Sequence, residues 1–165
     1  MILISPQIQF IMNYFSRKFS ALKELLYFTN WPILLVGRLP IFSNRFALYQ
    51  KDSISFITDY QGGDSTGARH LLASNLYKDF IERIASKGEK ITTLLDVGAN
   101  NGGFILHLIN RFPRQLRKIV AVEFNYRTYL RLHFNVLYNT DTDTDVELIN
   151  AAAAGSDGWL QSEDN

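Results

Sequence analysis

Apolar residues return every third or fourth position in the first part of the chain, at Ile8, Ile11, Met12, Phe15, Phe19, Leu22, Leu25 and Leu26. Asn13, Arg17, Lys18 and Lys23 fall on the other side, so the spacing predicts an amphipathic helix. Ser5 suits its N-cap and Pro6 its first helical position, and Trp31-Pro32 breaks the pattern. From residue 45 the period shortens. Residues 46–50 and 54–58 read as a β-hairpin around the polar turn Lys51, Asp52, Ser53. The glycine-containing stretch 60–67 reads as a loop, with Ser65 or Thr66 able to cap the next helix and with Tyr60 and Asp64 in plain turn roles. Leu72, Leu76, Phe80 and Ile84 then predict one helix, closed by Lys87 and Gly88.

The second half alternates differently. Residues 91–97 form a β-branched and leucine run that reads as a buried parallel strand, leading through a glycine turn into a helix over 103–112 that Pro113 stops. The basic loop 114–118 reads as a solvated face. A second strand over 118–123 comes next, then a helix through Tyr129, Leu132, His133 and Val136, and a third strand over 146–149. The loop 139–145 alternates Asp with Thr but lacks the glycine and closing Glu of a calcium loop, so a solvated linker is expected and no metal site. Right-handed crossovers would place all three strand ends at one sheet edge. Asp96, Gly98, Glu123 and Asn150 would then converge, although they are distant in sequence.

Strand, glycine turn and helix in that order make a ligand cradle, because the helix start presents unpaired N–H groups. A dinucleotide fingerprint needs G-x-G-x-x-G, whereas here Asn100 stands at the central glycine position between Gly98 and Gly102. A nucleoside triphosphate loop would need a Gly-Lys-Ser/Thr ending, which is absent. Asp96 at the first strand end would repel a pyrophosphate and suits a cationic or amino-bearing ligand. Glu123 at the second strand end can accept two hydrogen bonds from a ribose diol.

Asp96-Val97-Gly98 with Gly102, followed by a strand-terminal Glu123, resembles the cofactor-binding half of class I S-adenosylmethionine-dependent methyltransferases. More narrowly, Leu95-Asp96-Val97-Gly98-Ala99-Asn100-Asn101-Gly102, then Val122-Glu123-Phe124-Asn125, then Leu132, Asn135 and Asn139, is similar to the FkbM family pattern. Phe124 and Tyr126 stand where that family usually has prolines. The resemblance spans residues 91–158. It implies a Rossmann-like sheet and an S-adenosyl-L-methionine cofactor, with Asp96, Gly98, Ala99, Asn100 and Gly102 at its amino-acid end. It further implies Glu123 and Phe124 at the ribose, and small residues after Asn150, beginning with Ala151, that leave room for adenine. The implied reaction is O-methyl transfer to a hydroxyl of a sugar or secondary metabolite, which usually wants a base. Among His70, His107 and His133, His70 is the weak candidate. The family sheet has seven strands, whereas three to four fit here, so an incomplete sheet with an uncovered apolar face is expected. Such a chain would self-associate or need a C-terminal complement. A non-enzymatic binding or assembly module, half of a split methyltransferase, and a dinucleotide enzyme are the alternatives. The organisation expected is an amphipathic extension over 1–44, a hairpin and helix over 45–90, and the cofactor-binding half over 91–165.

At 165 residues and 47% apolar the chain is long enough for one core, and 13% aromatic residues argue against disorder. With no cysteine there is neither a disulfide framework nor a thiolate metal site, and a reduced cytoplasmic setting is the natural reading. A net charge of +1 gives no reason to expect a nucleic-acid partner. The charge is uneven, with Arg17, Lys18, Lys23, Arg38 and Arg45 against Glu24 in the first 45 residues. The first helix, over residues 6–28, therefore has two readings. In one it docks on the fold or a partner subunit; in the other it lies on a membrane surface. The order of its regions does not fit a secretory signal, and the uncharged stretch 25–37 is too short to span a bilayer.

Overall fold

Three parallel strands, β3 (Thr93–Val97), β4 (Lys118–Val122) and β5 (Asp145–Ile149), carry the second half of the chain in the order β3-β4-β5. The computed structural model describes residues 6–39, 45–62, 67–74, 76–88, 90–155 and 158. Ser5, Asp64, Ser65 and Thr66 lie outside these, as do the side chains of Ile8, Ile11 and Arg17. The crossovers are α5 (Gly103–Arg111) and α6 (Tyr126–Asn139). Both step across the sheet in the same direction, so right-handed connections put both helices on one face. That face is filled by Leu94, Ile119, Ala121, Val146 and Leu148 against Ile105, Leu108, Leu132 and Val136.

The opposite face corrects the reading of residues 91–97 as a buried strand. Leu95 is 66% exposed and Val97 54%, and Ile149 shares that face with them. Leucine and valine on both sides of a strand are what one covered on both sides carries, but among the described residues only one side is covered.

The hairpin forms as the alternation predicts. β1 (Phe46–Lys51) pairs antiparallel with β2 (Ile54–Asp59), and Asp52 takes the left-handed conformation, φ 53°, in a two-residue turn. It stays a separate two-stranded sheet and does not extend β3. Tyr49 and Phe56 stack at 5.4 Å and meet Phe28, which seeds a second core with Leu25, Leu34, Ile54, Leu72 and Leu106. α5 is apolar over a broad arc, with His107, Asn110 and Arg111 on the remainder, because it serves both cores: Ile105 and Leu108 face one, Leu106 the other.

Two sequence expectations change. The single helix through Leu72 and Ile84 is two, α3 (Ala68–Ala73) and α4 (Lys78–Ser86), because Leu72 belongs to the second core and Ile81 to the first. At the junction Ser74 is extended, with φ −92° and ψ 154°, and Leu76 is left exposed. The first helix, α1 (Pro6–Leu26), already ends before Trp31-Pro32, and that pair opens a short α2 (Trp31–Val36), since a proline costs nothing in a first turn.

The hairpin is held against α6 by side chains that imitate a strand. Asn135 accepts the Ile57 N–H at 2.8 Å and donates to the Ile57 carbonyl at 3.1 Å. One turn later Asn139 does the same for Ser55, at 2.9 and 2.7 Å. Asparagines four apart on a helix stand above one another, so they match alternate residues of the β2 edge. Beside them Asp59, fully buried, binds Arg45 at 2.8 Å and faces Arg131 at 3.6 Å. Burial alone would raise the Asp59 carboxyl. The Arg45 and Gln61 hydrogen bonds and both guanidinium charges outweigh it and hold the group below the usual range.

Candidate functional site

The parallel register aligns Val97 with Val122 and Val122 with Ile149, so the three strands end level with one another. The chain turns back at once after β3: Gly98 and Ala99 both donate to the Val122 carbonyl at 2.9 Å. That turn requires left-handed backbone at Gly98 (φ 79°), Asn100 (φ 52°) and Gly102 (φ 91°). Glycine takes this conformation freely and asparagine with little strain, which accounts for these residue types. A Cβ built on Gly98 would meet no heavy atom within 4 Å, so the space beside the turn is open. At Gly103 the constraint is contact: a Cβ would lie 2.7 Å from the Ala68 Cα, so glycine there lets α3 close on α5.

Glu123 ties the edge together. Its Oε2 accepts the Asn100 N–H at 2.9 Å and its Oε1 the Asn125 N–H at 2.8 Å. Its own carbonyl, with that of Phe124, accepts from Asn150 Nδ2 at 2.8 and 2.9 Å. Glycine turn, β4 end and β5 end are thereby joined through one carboxylate residue. Asn125 also caps α6 by accepting the Thr128 N–H at 3.0 Å, so this turn is fixed without the prolines absent at Phe124 and Tyr126.

Asp96 lies on the helix-covered side of β3, and its Oδ2 is buried without a hydrogen-bond partner. Burial, and then the Glu123 charge, push its carboxyl above the ordinary range. A buried acceptor left unsatisfied costs about 1–3 kcal/mol, and a donor arriving here would recover it.

The structure thus draws Gly98, Ala99, Asn100, Glu123, Phe124 and Asn150 into one connected edge, with Asp96 in electrostatic reach of Glu123 and with Gly102 as the N-cap of α5. Ala151 follows in exposed backbone. His70 is placed elsewhere, in the groove between α1 and α3, where its Nδ1 lies 3.8 Å from Glu24. His107 is half-buried on α5, and burial, with Arg111 beside it, lowers its pKa. His133 is exposed on α6 against Tyr129.

One supporting residue had a sequence signal that periodicity does not weigh. Asn101 is fully buried; its Oδ1 accepts the Ala68 N–H at 2.7 Å and its carbonyl accepts from Asn135 at 2.8 Å. An asparagine directly after another at a glycine turn is that signal: one takes the left-handed position and the other binds inward. No protein-family model matches the chain and no curated protein matches its sequence.

Proposed function

We propose that the carboxyl edge of β3, β4 and β5 binds S-adenosylmethionine, and that the chain serves methyl transfer to a hydroxyl group of a sugar or secondary metabolite, as FkbM-type class I methyltransferases do. The observation that carries this reading is the Asn100 N–H bond to Glu123, which holds a glycine turn open beside a strand-terminal carboxylate. The residues fit the cofactor's polar groups. The unsatisfied Asp96 oxygen suits an ammonium group, directly or through water. Each Glu123 oxygen takes one backbone N–H and keeps a second lone-pair site, so the carboxylate can still accept a ribose diol. Asn150 and Ala151 border the β5 end, where a flat base has room.

When bound, the sulfonium supplies an electrophilic methyl group. The leaving group is neutral, so the work left to the protein is to orient and desolvate, which can contribute roughly 7–11 kcal/mol in favourable cases. A second reading, binding without transfer, is favoured by one observation. Among the described residues none of the three imidazoles contacts Asp96 or Glu123.

Calorimetric titration with S-adenosylhomocysteine, in parallel with NAD, tests the cofactor assignment. Binding of the first and not the second is expected. Glu123→Ala should weaken it by a few kcal/mol, since each donor left unpaired costs about 1–3 kcal/mol. A folded chain that ignores S-adenosylhomocysteine would remove the reading. Labelled methyl transfer to hydroxyl acceptors then separates the enzyme from the binding module.

A further inference from the structure

Among the described residues, α1 contacts the rest of the molecule near its C-terminal end. Leu25 is buried there, and Glu24 forms an ion pair with Arg69 and lies 3.8 Å from His70 of α3. Before that point the apolar stripe is bare: Met12, Phe15, Phe19 and Leu22 are exposed, Phe15 by 66% and Phe19 by 61%. The exposed surface continues past the helix with Leu26, Trp31 and Ile33. A helix docked on its own fold would bury this stripe, so docking on the fold holds for the last turn alone.

Three observations say what covers the rest. First, the charge is of one sign. Residues 1–51 hold Arg17, Lys18, Lys23, Arg38, Arg45 and Lys51, with Glu24 as the single acid, and its ion pair with Arg69 of α3 turns that acid inward. Second, Lys18 and Lys23 flank the stripe at helical spacing. Each lies over a ring of the same helix, Lys18 over Tyr14 at 5.6 Å and Lys23 over Phe19 at 5.3 Å. Their stems thus run along apolar surface while the ammonium groups stay at its border, the arrangement of side chains that reach for lipid headgroups. Third, the stripe is broad and aromatic where a helix-pairing seam is narrow and aliphatic, and it lacks acids to pair across an interface. A second copy would set Lys18 and Lys23 against cations. No helix of the described residues is long and apolar enough to cross a membrane, which leaves the surface.

We propose that α1, with the exposed turn into α2, is an interfacial anchor that lies on an anionic bilayer, its Phe15–Phe19 stripe in the acyl boundary and Lys18 and Lys23 at the headgroups. This stands apart from the cofactor reading. The anchor holds the body at its last turn, so the rest of the chain is tethered to the membrane surface.

Co-sedimentation of the full chain with vesicles tests it, using phosphatidylcholine alone and phosphatidylcholine mixed with phosphatidylserine. Binding to the mixed vesicles, weakened by salt, is expected. Lys18→Gln with Lys23→Gln should reduce affinity about 30-fold, because each basic residue at an anionic surface contributes about fivefold. Phe15→Ser with Phe19→Ser should abolish it. Both pairs are exposed, so thermal unfolding of the variants should match the parent and show that lost binding is not lost folding. Failure to sediment with either vesicle, or equal binding to both, overturns the proposal. So does a lipid-free dimer that Phe15→Ser with Phe19→Ser converts to monomer, since the stripe would then belong to a second copy.

Discussion

α1 and α6 are both amphipathic helices, yet one has its inward side filled and the other has it bare. α6 buries Leu132 and Val136 in the core, and among them it buries Arg131 and Asn135. α1 leaves Met12, Phe15, Phe19 and Leu22 exposed, and that stretch carries no buried polar residue among those described. A periodic apolar stripe states that a helix has two sides, but not what the sheltered side meets. Polar residues set into the stripe carry that information. Each has a fixed donor and acceptor geometry, which only one neighbour satisfies. Asn135 and Asn139 name the β2 edge as their neighbour, and Arg131 names Asp59. Nothing comparable among the described residues specifies a protein partner for the stripe of α1.

The contrast is sharpest where a polar partner is removed. Asp59→Ala would leave Arg131 buried without the carboxylate it faces, a change that typically costs about 3–5 kcal/mol. Urea denaturation should show the largest loss here. Its pH dependence has a definite sign. The Asp59 carboxyl is held below the usual range, so its contribution is fully present above that range and is lost as the pH falls below it through the lowered value. The stability curves of the parent and Asp59→Asn should therefore converge in acid and separate toward neutrality. Parallel curves at all pH values would detach Asp59 from the ion-pair network.

Asn135→Ala comes next. It removes the partners of the Ile57 N–H and carbonyl and of the Asn101 carbonyl. With the N–H stranded in the interior, a loss of about 2–3 kcal/mol is expected. Asn139→Ala, partly exposed, should cost about 1 kcal/mol. If the two cost the same, the asparagine ladder does not grade with burial.

How much of the molecule was legible before the structure differs between its parts. The strand, glycine turn and helix were readable because residues 93–97 and 103–111 repeat with different periods on either side of a turn that needs left-handed backbone. The hairpin was readable for the same reason. The break at Ser74 was not, since Leu72 and Ile81 serve different cores, and a single spacing cannot show a change of partner. The bare face of β3 was expected from the number of strands, whereas residue type at 91–97 pointed to a strand covered on both sides, because it records what a strand suits and not what covers it. At the candidate site the converging residues were readable from topology. The use of both Glu123 oxygens by backbone N–H groups was not, because that depends on how closely the turn after Gly98 folds back.

Asp96 sharpens the comparison from the side of the site, because its Oδ2 is a buried polar atom without a protein partner. Its carboxyl is raised by burial and by Glu123, so ionising it works against the fold. The penalty is absent below the ordinary carboxylate range and enters as the pH rises through the raised value. Asp96→Asn, which cannot ionise, should therefore gain stability relative to the parent as the pH rises through the raised value. The same variant should lose affinity for S-adenosylhomocysteine. In the parent that affinity should rise with pH over the window in which Asp96 ionises. Calorimetry at several pH values measures it. Affinity that is flat across that window would separate Asp96 from the ligand.

The smallest expected effect is on α1, and its smallness is the point. Replacing Phe15 and Phe19 with Ser removes two rings that are already mostly exposed, so little transfer free energy is lost on folding. Phe and Ser have similar helix propensities, so the helix itself changes little. Exposed substitutions of this kind usually fall within about 0.5 kcal/mol. The equivalent insult to α6, Leu132→Ala, opens a cavity in the first core and should cost about 2–5 kcal/mol. Side by side in one denaturation series, the two helices should differ by several kcal/mol despite similar amphipathic patterns. If instead the Phe15 and Phe19 variant lost more than about 1 kcal/mol, the stripe would be packed against protein in solution. The difference between a helix that completes the fold and one that faces outward would then collapse.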